Sequence, residues 1–459
     1  MWTSDAIALA TGGVASASFI VDDVTFDSRE VAGGELFVAL AGAASDGHAF
    51  LGEAVQRGAA GLLVSQTANT PNVRVADTMA GLTALATAAR ARATTATIVG
   101  VTGSVGKTGV KEALRLALER SAPGHVHASV KSYNNHTGVP LSLARMPAHA
   151  RFGVYEMGMN HAGELANLTR LVRPDVAVIT AIASAHLEFF GGEEAIADAK
   201  SEIFEGLEPG GVAVIPFDTP HRDRLIDHAR GHAARIVTFG IREGADVRAT
   251  TYKLHADCSC ASAMICGERL MFKIAMAGAH WLSNGLAVLA AVQAAGGDIA
   301  LAGLALAELP GLPGRGARFG VRRNGGEATI LDESYNANPA SMAASLNVLR
   351  TIIPAGSGRR MAVLGEMREL GTLSEALHVA LAPAIFDAGI KRAILVGEAM
   401  RPLADALGKR VTTSVVANAG DALALVEHEL VADDVVLIKG SNGVRLGEVV
   451  ASLRKADRR

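Results

Sequence analysis

Residues 98–114 read IVGVTGSVGKTGVKEAL. An apolar run leads into a glycine-containing segment, after which Val110, Leu114 and Leu118 recur at helical spacing. A strand, a glycine turn and a helix in this order present backbone N–H groups and a positive helix end to one anion, so the stretch predicts a phosphate-binding loop. The common spacing G-x-x-x-x-G-K-[ST] would need glycine where this chain has Val101. The alternatives are a shorter phosphate loop and an ordinary turn whose lysine points to solvent.

Two side chains of this stretch suit phosphate chemistry. Lys107 would neutralise the β- and γ-phosphates of a nucleotide, and the Thr108 hydroxyl is suited to binding Mg²⁺. The loop alone does not discriminate among a kinase, an NTPase and a ligase.

Composition and charge narrow the class of protein. The chain has 459 residues, which suggests about three domains. Its 43 basic and 46 acidic residues give a net charge of −3, which provides no electrostatic case for nucleic-acid binding. No apolar run approaches the roughly 20 residues of a spanning helix, and the N-terminus lacks the basic region of a signal peptide. We expect a soluble cytoplasmic protein without membrane insertion.

The order of apolar runs predicts an α/β fold in three parts. Short strand-like pieces such as GELFVAL and GAAGLLVS occur before residue 90 and suit a small α/β domain. The runs FGVYEMG, DVAVITAIA, GGVAVIPFD and ARIVTFG follow the glycine loop and predict βαβ units around a mostly parallel sheet. The Pro/Gly-rich LPGLPGRG predicts a linker, beyond which further buried-type strands indicate another α/β domain.

Ionisable residues after these strands are candidates for a metal site. Glu156 ends the strand-like FGVYEMG, and a hard cation prefers carboxylate oxygens, so Glu156 is the better Mg²⁺ ligand by chemistry. His186 follows the next strand, where a lone histidine is more often a hydrogen-bonded structural residue. Lys200, in EEAIADAKSEIFEGL, has the pattern of a solvated lysine that pairs with acidic neighbours.

Two other segments leave their roles open. Asp332 and Glu333 end a predicted strand ahead of SYNANP, where carboxylates either accept hydrogen bonds from ribose hydroxyls or form an ordinary turn before a helix. Cys258, Cys260 and Cys266 cluster in DCSCASAMIC. No fourth ligand lies at zinc-site spacing and the flanking residues alternate, so we interpret this segment as a strand.

Taken together, the chain resembles the Mur ligase family. The segments that carry the resemblance are FDSREVAGGELFVALAGAASDGHAF, VTGSVGKT, SYNNHTGVP, EMGMNHAGEL, AHLEFFG, AKSEI, GAHWLSNGLA, LPGRG, ESYNANPASM, LGEMREL and IKGSNG. The resemblance implies three domains. They are a small α/β N-terminal domain for the UDP-sugar peptide (1–92), a central mostly parallel-sheet domain of the P-loop ATPase type for ATP (93–312), and a Rossmann-like α/β C-terminal domain that closes on the nucleotide and binds the incoming dipeptide (313–459).

The resemblance also assigns roles to individual positions. The family's shorter loop, G-x-x-G-K-[ST], matches Gly103 to Thr108. The implied nucleotide-binding residues are Thr102, Gly103, Ser104, Val105, Gly106, Lys107, Thr108, Asn135, His280, Asn284, Arg315 and Glu333. The implied ligands of two Mg²⁺ ions are Thr108, Glu156, His186 and a carbamylated Lys200, and the catalytic set is Lys107, Glu156, His186 and Lys200. Ser28, Arg29, Tyr335, Asn336 and Asn338 are implied to contact the substrates.

Within the family, the absence of a DNPR motif and the presence of SYNANP favour the member that adds a dipeptide. The implied reaction is ATP-dependent amide formation between UDP-MurNAc-tripeptide and D-Ala-D-Ala through an acyl phosphate, the last cytoplasmic peptide-adding step of peptidoglycan precursor synthesis, by a monomer. The alternatives are another amino-acid-adding Mur or folylpolyglutamate-type ligase, and a P-loop NTPase without ligase activity.

Three positions depart from the family pattern. Glu333 stands where an aspartate is common, Trp281 where asparagine is common, and Asn442 where the KGS segment usually has arginine. We expect Glu333 to keep the ribose contact, and the role of the missing arginine is not transferred to Asn442.

Overall fold

A computed structural model describes residues 1–42, 45–184 and 188–457 of the chain. Three sheets of five, nine and six strands follow one another along the sequence, and a two-stranded pair lies at the N-terminus. His186, a predicted site residue, lies outside the described residues. Among the residues described, no helix is both long enough and apolar enough to span a lipid bilayer.

The first sheet is small and mixed, with the strand order β2-β7-β6-β5-β4. Strands β4 to β7 pair in parallel, β2 joins β7 in antiparallel fashion, and β1 pairs with β3. The strands are β1 Trp2–Thr3, β2 Val14–Ala15, β3 Ile20–Val21, β4 Val24–Thr25, β5 Leu36–Val38, β6 Gly61–Val64 and β7 Asn72–Arg74. The helices are α1 Ser4–Thr11, α2 Leu51–Gln56 and α3 Thr78–Arg92.

The second sheet has the order β16-β15-β14-β13-β12-β11-β8-β10-β9. Its strands are β8 Thr97–Thr102, β9 Val126–Ala128, β10 Phe152–Glu156, β11 Val176–Ile179, β12 Val212–Pro216, β13 Arg235–Gly240, β14 Val247–Leu254, β15 Ser259–Ile265 and β16 Glu268–Ile274. The helices are α4 Lys107–Ser121, α5 Gly138–Ala144, α6 Glu164–Val172, α7 Glu193–Ser201, α8 Arg222–Arg230, α9 Ala279–Ala294 and α10 Ile299–Ala307. Strands β8 to β14 are joined in parallel, and β15 and β16 in antiparallel fashion.

The strand order of this sheet locates a binding crevice. Strand β8 lies between β10 and β11, because the chain crosses from one side of β8 to the other after β10. In open α/β sheets ligands bind at the carboxyl ends of strands where the order reverses in this way. The glycine segment 103–106 leaves β8 at this point, and Glu156 ends the neighbouring β10. Apolar cores on both faces hold the sheet, so the loops at its carboxyl edge are set on a rigid base.

The third sheet has the order β17-β18-β22-β19-β20-β21 and is parallel except for β17, which pairs with β18 in antiparallel fashion. Its strands are β17 Ala317–Arg323, β18 Gly326–Glu333, β19 Arg360–Gly365, β20 Arg392–Val396, β21 Thr412–Val416 and β22 Val435–Lys439. The helices are α11 Pro339–Thr351, α12 Ser374–Val379, α13 Ala382–Asp387, α14 Arg401–Leu407, α15 Ala419–Glu429 and α16 Gly447–Asp457.

The predicted α/β fold with a mostly parallel central sheet is confirmed, and each quoted apolar run of the central region forms a strand. The cysteine-containing segment forms β15, as its alternation predicted. The antiparallel extension β14–β16 was not predicted. Strand β16 alternates between exposed and buried residues toward its end, as expected for an edge strand with one solvated face.

Candidate active site

The glycine segment after β8 is a tight loop that only glycine can form at two positions. Gly103 has φ +147° and Gly106 has φ +89°, both in the region that favours glycine. A Cβ on Gly103 would lie 2.0 Å from Thr180 Oγ1, and one on Gly106 would lie 2.7 Å from Asn284 Oδ1. The loop therefore packs directly against the residues after β11 and against helix α9. The missing glycine at Val101 has no structural cost, because Val101 is a buried residue of β8.

Hydrogen bonds fix the shape of this loop. The Ser104 N–H donates to Ala181 O at 2.8 Å, and Thr180 Oγ1 donates to Val105 O at 2.5 Å. The Thr102 hydroxyl, at the start of the loop, is fully buried and has no hydrogen-bond partner among the described residues. A buried hydroxyl without a partner is costly, and its place at the entrance of a glycine cradle fits a site built for a polar ligand.

Lys107 lies over the loop rather than pointing to solvent. Its Nζ donates to Gly103 O at 2.6 Å, and the side chain is half-buried. Burial lowers the pKa of Lys107, and the charge of Glu156 opposes that shift. The interpretation of an ordinary turn with a solvated lysine is therefore wrong.

Thr108 and Glu156 form a buried pair directly beside the loop. Thr108 Oγ1 donates to Glu156 Oε2 at 2.7 Å, and Asn134 Nδ2 donates to Glu156 Oε1 at 2.7 Å. Glu156 is 1% exposed, and Ser132 Oγ lies 3.3 Å from Thr108 Oγ1. A carboxylate and a hydroxyl that meet at a glycine loop are the oxygen ligands that Mg²⁺ prefers.

Lys200 is buried, with 1% of its surface exposed, on helix α7. Burial, followed by the nearby positive charge of Lys107, holds the pKa of Lys200 well below its ordinary value. The interpretation of Lys200 as a solvated lysine is therefore wrong, and the reason is tertiary packing of a helix whose sequence looks charged. The neutral amine that such burial favours is the form that reacts with carbon dioxide.

A cavity of about 220 Å³ lies between the second and third sheets. Its lining includes Trp281 from helix α9 and Glu333 from the end of β18. Burial raises the pKa of Glu333, while the Lys439 Nζ, 3.7 Å from Glu333 Oε2, opposes that shift. The remaining lining residues are Asp257, Ala275, Met276, Ala277, Gly311, Gly316, Arg318, Leu331 and Val348. An aromatic wall with a carboxylate at one end suits a flat base attached to a sugar.

Residues of the segment GAHWLSNGLA divide between the two ends of the site. Asn284 contacts the phosphate loop at Gly106, whereas Trp281 lines the cavity. His280 is half-buried, and burial lowers its pKa to about 4, so its ring is neutral at pH 7.

The predicted linker arginine joins the third sheet to the phosphate end. The Arg315 guanidinium lies 4.0 Å from the centre of the Tyr335 ring, and its Nη2 donates to Ser132 Oγ at 3.3 Å. Asn336 offers its carbonyl to Lys439 Nζ at 2.9 Å.

The side-chain oxygens of two predicted asparagines accept hydrogen bonds at the starts of helices. Asn338 Oδ1 accepts from Ser341 N at 2.8 Å and begins α11 with a reciprocal capping box. Asn135 Oδ1 accepts from Gly138 N at 2.9 Å at the start of α5. Their predicted contacts with substrate and phosphate stay predictions, and the side-chain amide nitrogens are the groups left for them.

The predicted UDP-sugar residues lie on the first domain, away from the phosphate loop. Ser28 is buried and donates to Glu53 Oε2 at 2.8 Å. Arg29 is exposed and pairs with Asp27 at 2.7 Å. Neighbouring Glu30 accepts from Tyr133 Oη of the central domain at 3.1 Å.

Sequence reasoning missed four residues of the site. Ser132 and Asn134 precede the predicted Asn135 in SYNNHTG, so the segment was singled out but its contacts with Thr108 and Glu156 were not predicted. Lys439 ends the apolar IKGS strand, where a buried lysine near Glu333 had no local signal. Thr180 follows β11 without any motif.

Three family models match the chain in order. The Mur ligase family catalytic domain matches residues 21–98, the Mur ligase middle domain residues 101–292, and the Mur ligase glutamate ligase domain residues 317–442. The chain is 30% identical over 455 residues to the UDP-N-acetylmuramoyl-tripeptide–D-alanyl-D-alanine ligase of Rickettsia prowazekii, covering 98% of this chain and 99% of the relative.

Solved structures agree with these matches. The crystal structure of MurF from Acinetobacter baumannii is 28% identical with a TM-score of 0.84, covering 99% of both chains. The MurF ligase of Thermotoga maritima in complex with ADP is 28% identical with a TM-score of 0.76, covering 95% of this chain and 98% of that one. The chain belongs to the Mur ligase family, whose members are ATP-dependent ligases that form carbon–nitrogen bonds.

Proposed function

We propose that this protein uses ATP to join D-Ala-D-Ala to UDP-MurNAc-tripeptide, the last peptide-adding step of peptidoglycan precursor synthesis. The observation that carries the proposal is the buried Thr108–Glu156 pair beside a glycine loop covered by Lys107. The name of the Rickettsia prowazekii relative, which matches nearly the full length of this chain, supports the choice of substrates.

The site fits a nucleotide along its length. The phosphates would lie on the Gly103–Thr108 loop. Neighbouring residues leave no space for a side chain at Gly103 or Gly106, and the buried Thr102 hydroxyl has no hydrogen-bond partner among the described residues. The base would lie against Trp281 in the cavity, and Glu333 would accept from the ribose hydroxyls. Its carboxylate has one more methylene of reach than the aspartate usual in the family.

The donor set also fits Mg²⁺. Thr108 and Glu156 would hold one ion, and His186 with a carbamylated Lys200 would hold a second. Bound Mg²⁺ would supply charge neutralisation for the transferred phosphoryl group. A lysine that is 1% exposed, with its pKa held low by burial, favours the neutral amine that carbamylation needs.

In the first step, the substrate carboxylate attacks the γ-phosphorus, the bond to ADP breaks, and an acyl phosphate forms. The carboxylate is ionised at neutral pH, so the step needs no base. Lys107 holds the γ-phosphoryl oxygens and neutralises the charge that develops on them.

In the second step, the D-Ala-D-Ala amine, after losing a proton, attacks the acyl carbon and phosphate leaves. Arg315 and Tyr335 lie where the C-terminal domain meets the phosphate end, so they are placed to exclude water from the acyl phosphate. Tyr335, Asn336 and Asn338 would contact the dipeptide.

The domain assignment is part of the same proposal. Residues 1–92 would bind the UDP-sugar peptide through Ser28 and Arg29, residues 93–312 would bind ATP, and residues 313–459 would close over it. The separate five-, nine- and six-stranded sheets support this division.

The test is phosphate release by the purified protein with ATP, Mg²⁺ and each substrate omitted in turn. We expect release only when UDP-MurNAc-tripeptide and D-Ala-D-Ala are both present. Equal ATP hydrolysis without either substrate would identify an NTPase without ligase activity. Release with a single amino acid in place of the dipeptide would identify another amino-acid-adding ligase.

A further inference from the structure

A short segment between β9 and α5 connects the first domain to the metal-ligand pair. We call residues 131–134 the 131–134 strap. Two of its side chains turn toward the N-terminal domain and meet one carboxylate. Lys131 Nζ pairs with Glu30 Oε1, and Tyr133 Oη donates to the same oxygen at 3.1 Å.

The alternate side chains of the strap turn the other way, into the candidate active site. Asn134 Nδ2 donates to Glu156 Oε1 at 2.7 Å, and Ser132 Oγ lies 3.3 Å from Thr108 Oγ1. Asn134 therefore occupies a lone pair of the predicted metal carboxylate, and Ser132 contacts the predicted metal hydroxyl. The backbone conformation of this four-residue segment therefore determines the directions of the Ser132 and Asn134 side chains.

A lysine of helix α4 holds the backbone of the strap in place. Lys111 is fully buried, and its Nζ donates to Ser129 O at 2.7 Å and to Lys131 O at 3.1 Å. Lys131 has φ +54°, a conformation that a residue with a side chain adopts only when its surroundings hold it there. The strap therefore has one anchor in the central domain and one at Glu30.

Glu30 is a specific anchor rather than a chance surface contact. Its side chain is 23% exposed and also lies 3.8 Å from Arg145 Nη2. Burial by itself raises the pKa of Glu30, but the hydrogen bonds from Lys131 and Tyr133 outweigh it and hold the pKa below its ordinary value. The carboxylate is thus ionised at neutral pH and held by three central-domain side chains.

We propose that Glu30 is a positioning residue, which orients Ser132 and Asn134 toward Thr108 and Glu156 through the 131–134 strap. The proposal rests on the proposed function, because it assumes that Mg²⁺-nucleotide binds at Thr108 and Glu156. Its consequence is that the UDP-sugar domain sets the affinity of the central domain for Mg²⁺-nucleotide.

The test is calorimetric binding of ADP with and without Mg²⁺ to the full chain, without the UDP substrate. We expect Glu30→Gln to weaken Mg²⁺-ADP binding about tenfold and to change metal-free ADP binding much less. A residue that only contacts the UDP substrate would leave both affinities unchanged. Asp23→Asn is the matched control, because Asp23 lies 3.3 Å from Arg145 at the same interface but does not contact the strap.

Each outcome decides between the proposals. A wild-type protein that does not bind Mg²⁺-ADP overturns the proposed function itself. If the wild type binds Mg²⁺-ADP and Glu30→Gln binds it equally well, the role of Glu30 is overturned. An equal loss of Mg²⁺-ADP affinity in Glu30→Gln and Asp23→Asn overturns it as well. If Glu30→Gln does not fold, Tyr133→Phe removes a single hydroxyl of the anchor, and a weakening of about threefold is expected there. Unchanged Mg²⁺-ADP affinity in Tyr133→Phe would then overturn the proposal.

Discussion

The two ends of the candidate nucleotide site are built in opposite ways. The phosphate end is centred on one continuous loop, 102–108, in which a Cβ on Gly103 or Gly106 would clash with a neighbour. The cavity at the other end is assembled from two domains, with Trp281 on α9 and Glu333 at the end of β18. Local chain geometry determines the first end, and the distance between two domains determines the second.

The two ends should therefore contribute differently, the phosphate end to the rate of phosphoryl transfer and the cavity to ATP affinity. In the proposed function, groups at the phosphate end would contact the atoms that react, so their loss should lower the rate of phosphoryl transfer. Groups in the cavity would contact atoms of the nucleotide that do not react, so their loss should weaken ATP binding. Variants at the two ends should therefore differ in kind as well as in size.

The largest effect is expected at the phosphate end. Lys107→Ala should lower acyl-phosphate formation about a thousandfold or more, because it removes the charge that neutralises the transferred phosphoryl group. Hydroxylamine trapping of the acyl phosphate measures this step, and a thermal melt checks the fold. Turnover close to the wild-type rate would refute the assigned role of Lys107.

The next effect concerns the second metal position. Lys200→Ala should lower activity about a hundredfold, because it removes the proposed carbamate. A small exogenous carboxylate such as formate should restore part of the activity by entering the space left by the side chain. Unchanged activity in this variant would remove the carbamate from the mechanism.

A variant in the cavity is expected to change the affinity for ATP rather than the rate. Glu333→Gln should raise the KM for ATP about tenfold with little change in kcat, because the ribose would lose its proposed carboxylate acceptor. Glu327→Gln, on the same strand but at its exposed opposite end, is the matched control. A fall in kcat without a change in KM would place Glu333 at the reacting atoms and erase the distinction between the two ends.

The smallest effect is on stability and depends on pH. The pKa of His280 is lowered from 6.5 to about 4 by burial, so the unfolded chain binds this proton more readily than the folded one. Its stabilising contribution is present above pH 6.5 and is lost as the pH falls toward 4. Between pH 7 and pH 5 the wild type should lose about 2 kcal/mol through this group.

Urea denaturation of the wild type and His280→Gln at pH 7 and pH 5 measures that contribution. The variant should lose less stability between these pH values. Parallel pH profiles for the two proteins would contradict the assignment.

Sequence patterns predicted the structural elements that depend on residues close together in the chain. The strand, glycine loop and helix at 98–114 were read from apolar spacing and turn chemistry, and the buried strands were read from apolar runs. The burial of Lys200 was not readable, because a helix with acidic residues on either side has the pattern of a solvated one. Asn134 was missed for a related reason, since two adjacent asparagines present opposite sides of the chain.

Contacts between residues far apart in the sequence were out of reach of such patterns. Lys439 approaches Glu333 from the neighbouring strand β22 of the same sheet, more than a hundred residues along the chain. Glu30 and the 131–134 strap belong to different domains, so only the folded chain brings them together. The family resemblance favoured a ribose contact for Glu333, which the residues alone left open, and it alone suggested a role for Arg315.

Transfer of an oxygen isotope tests the acyl-phosphate chemistry most directly. UDP-MurNAc-tripeptide labelled with ¹⁸O in its terminal carboxylate is turned over with ATP, Mg²⁺ and D-Ala-D-Ala, and the products are separated by mass. Attack of that carboxylate on the γ-phosphorus at the Lys107 loop predicts one ¹⁸O atom in each released phosphate. Release of unlabelled phosphate, or the appearance of the label in AMP, would contradict it.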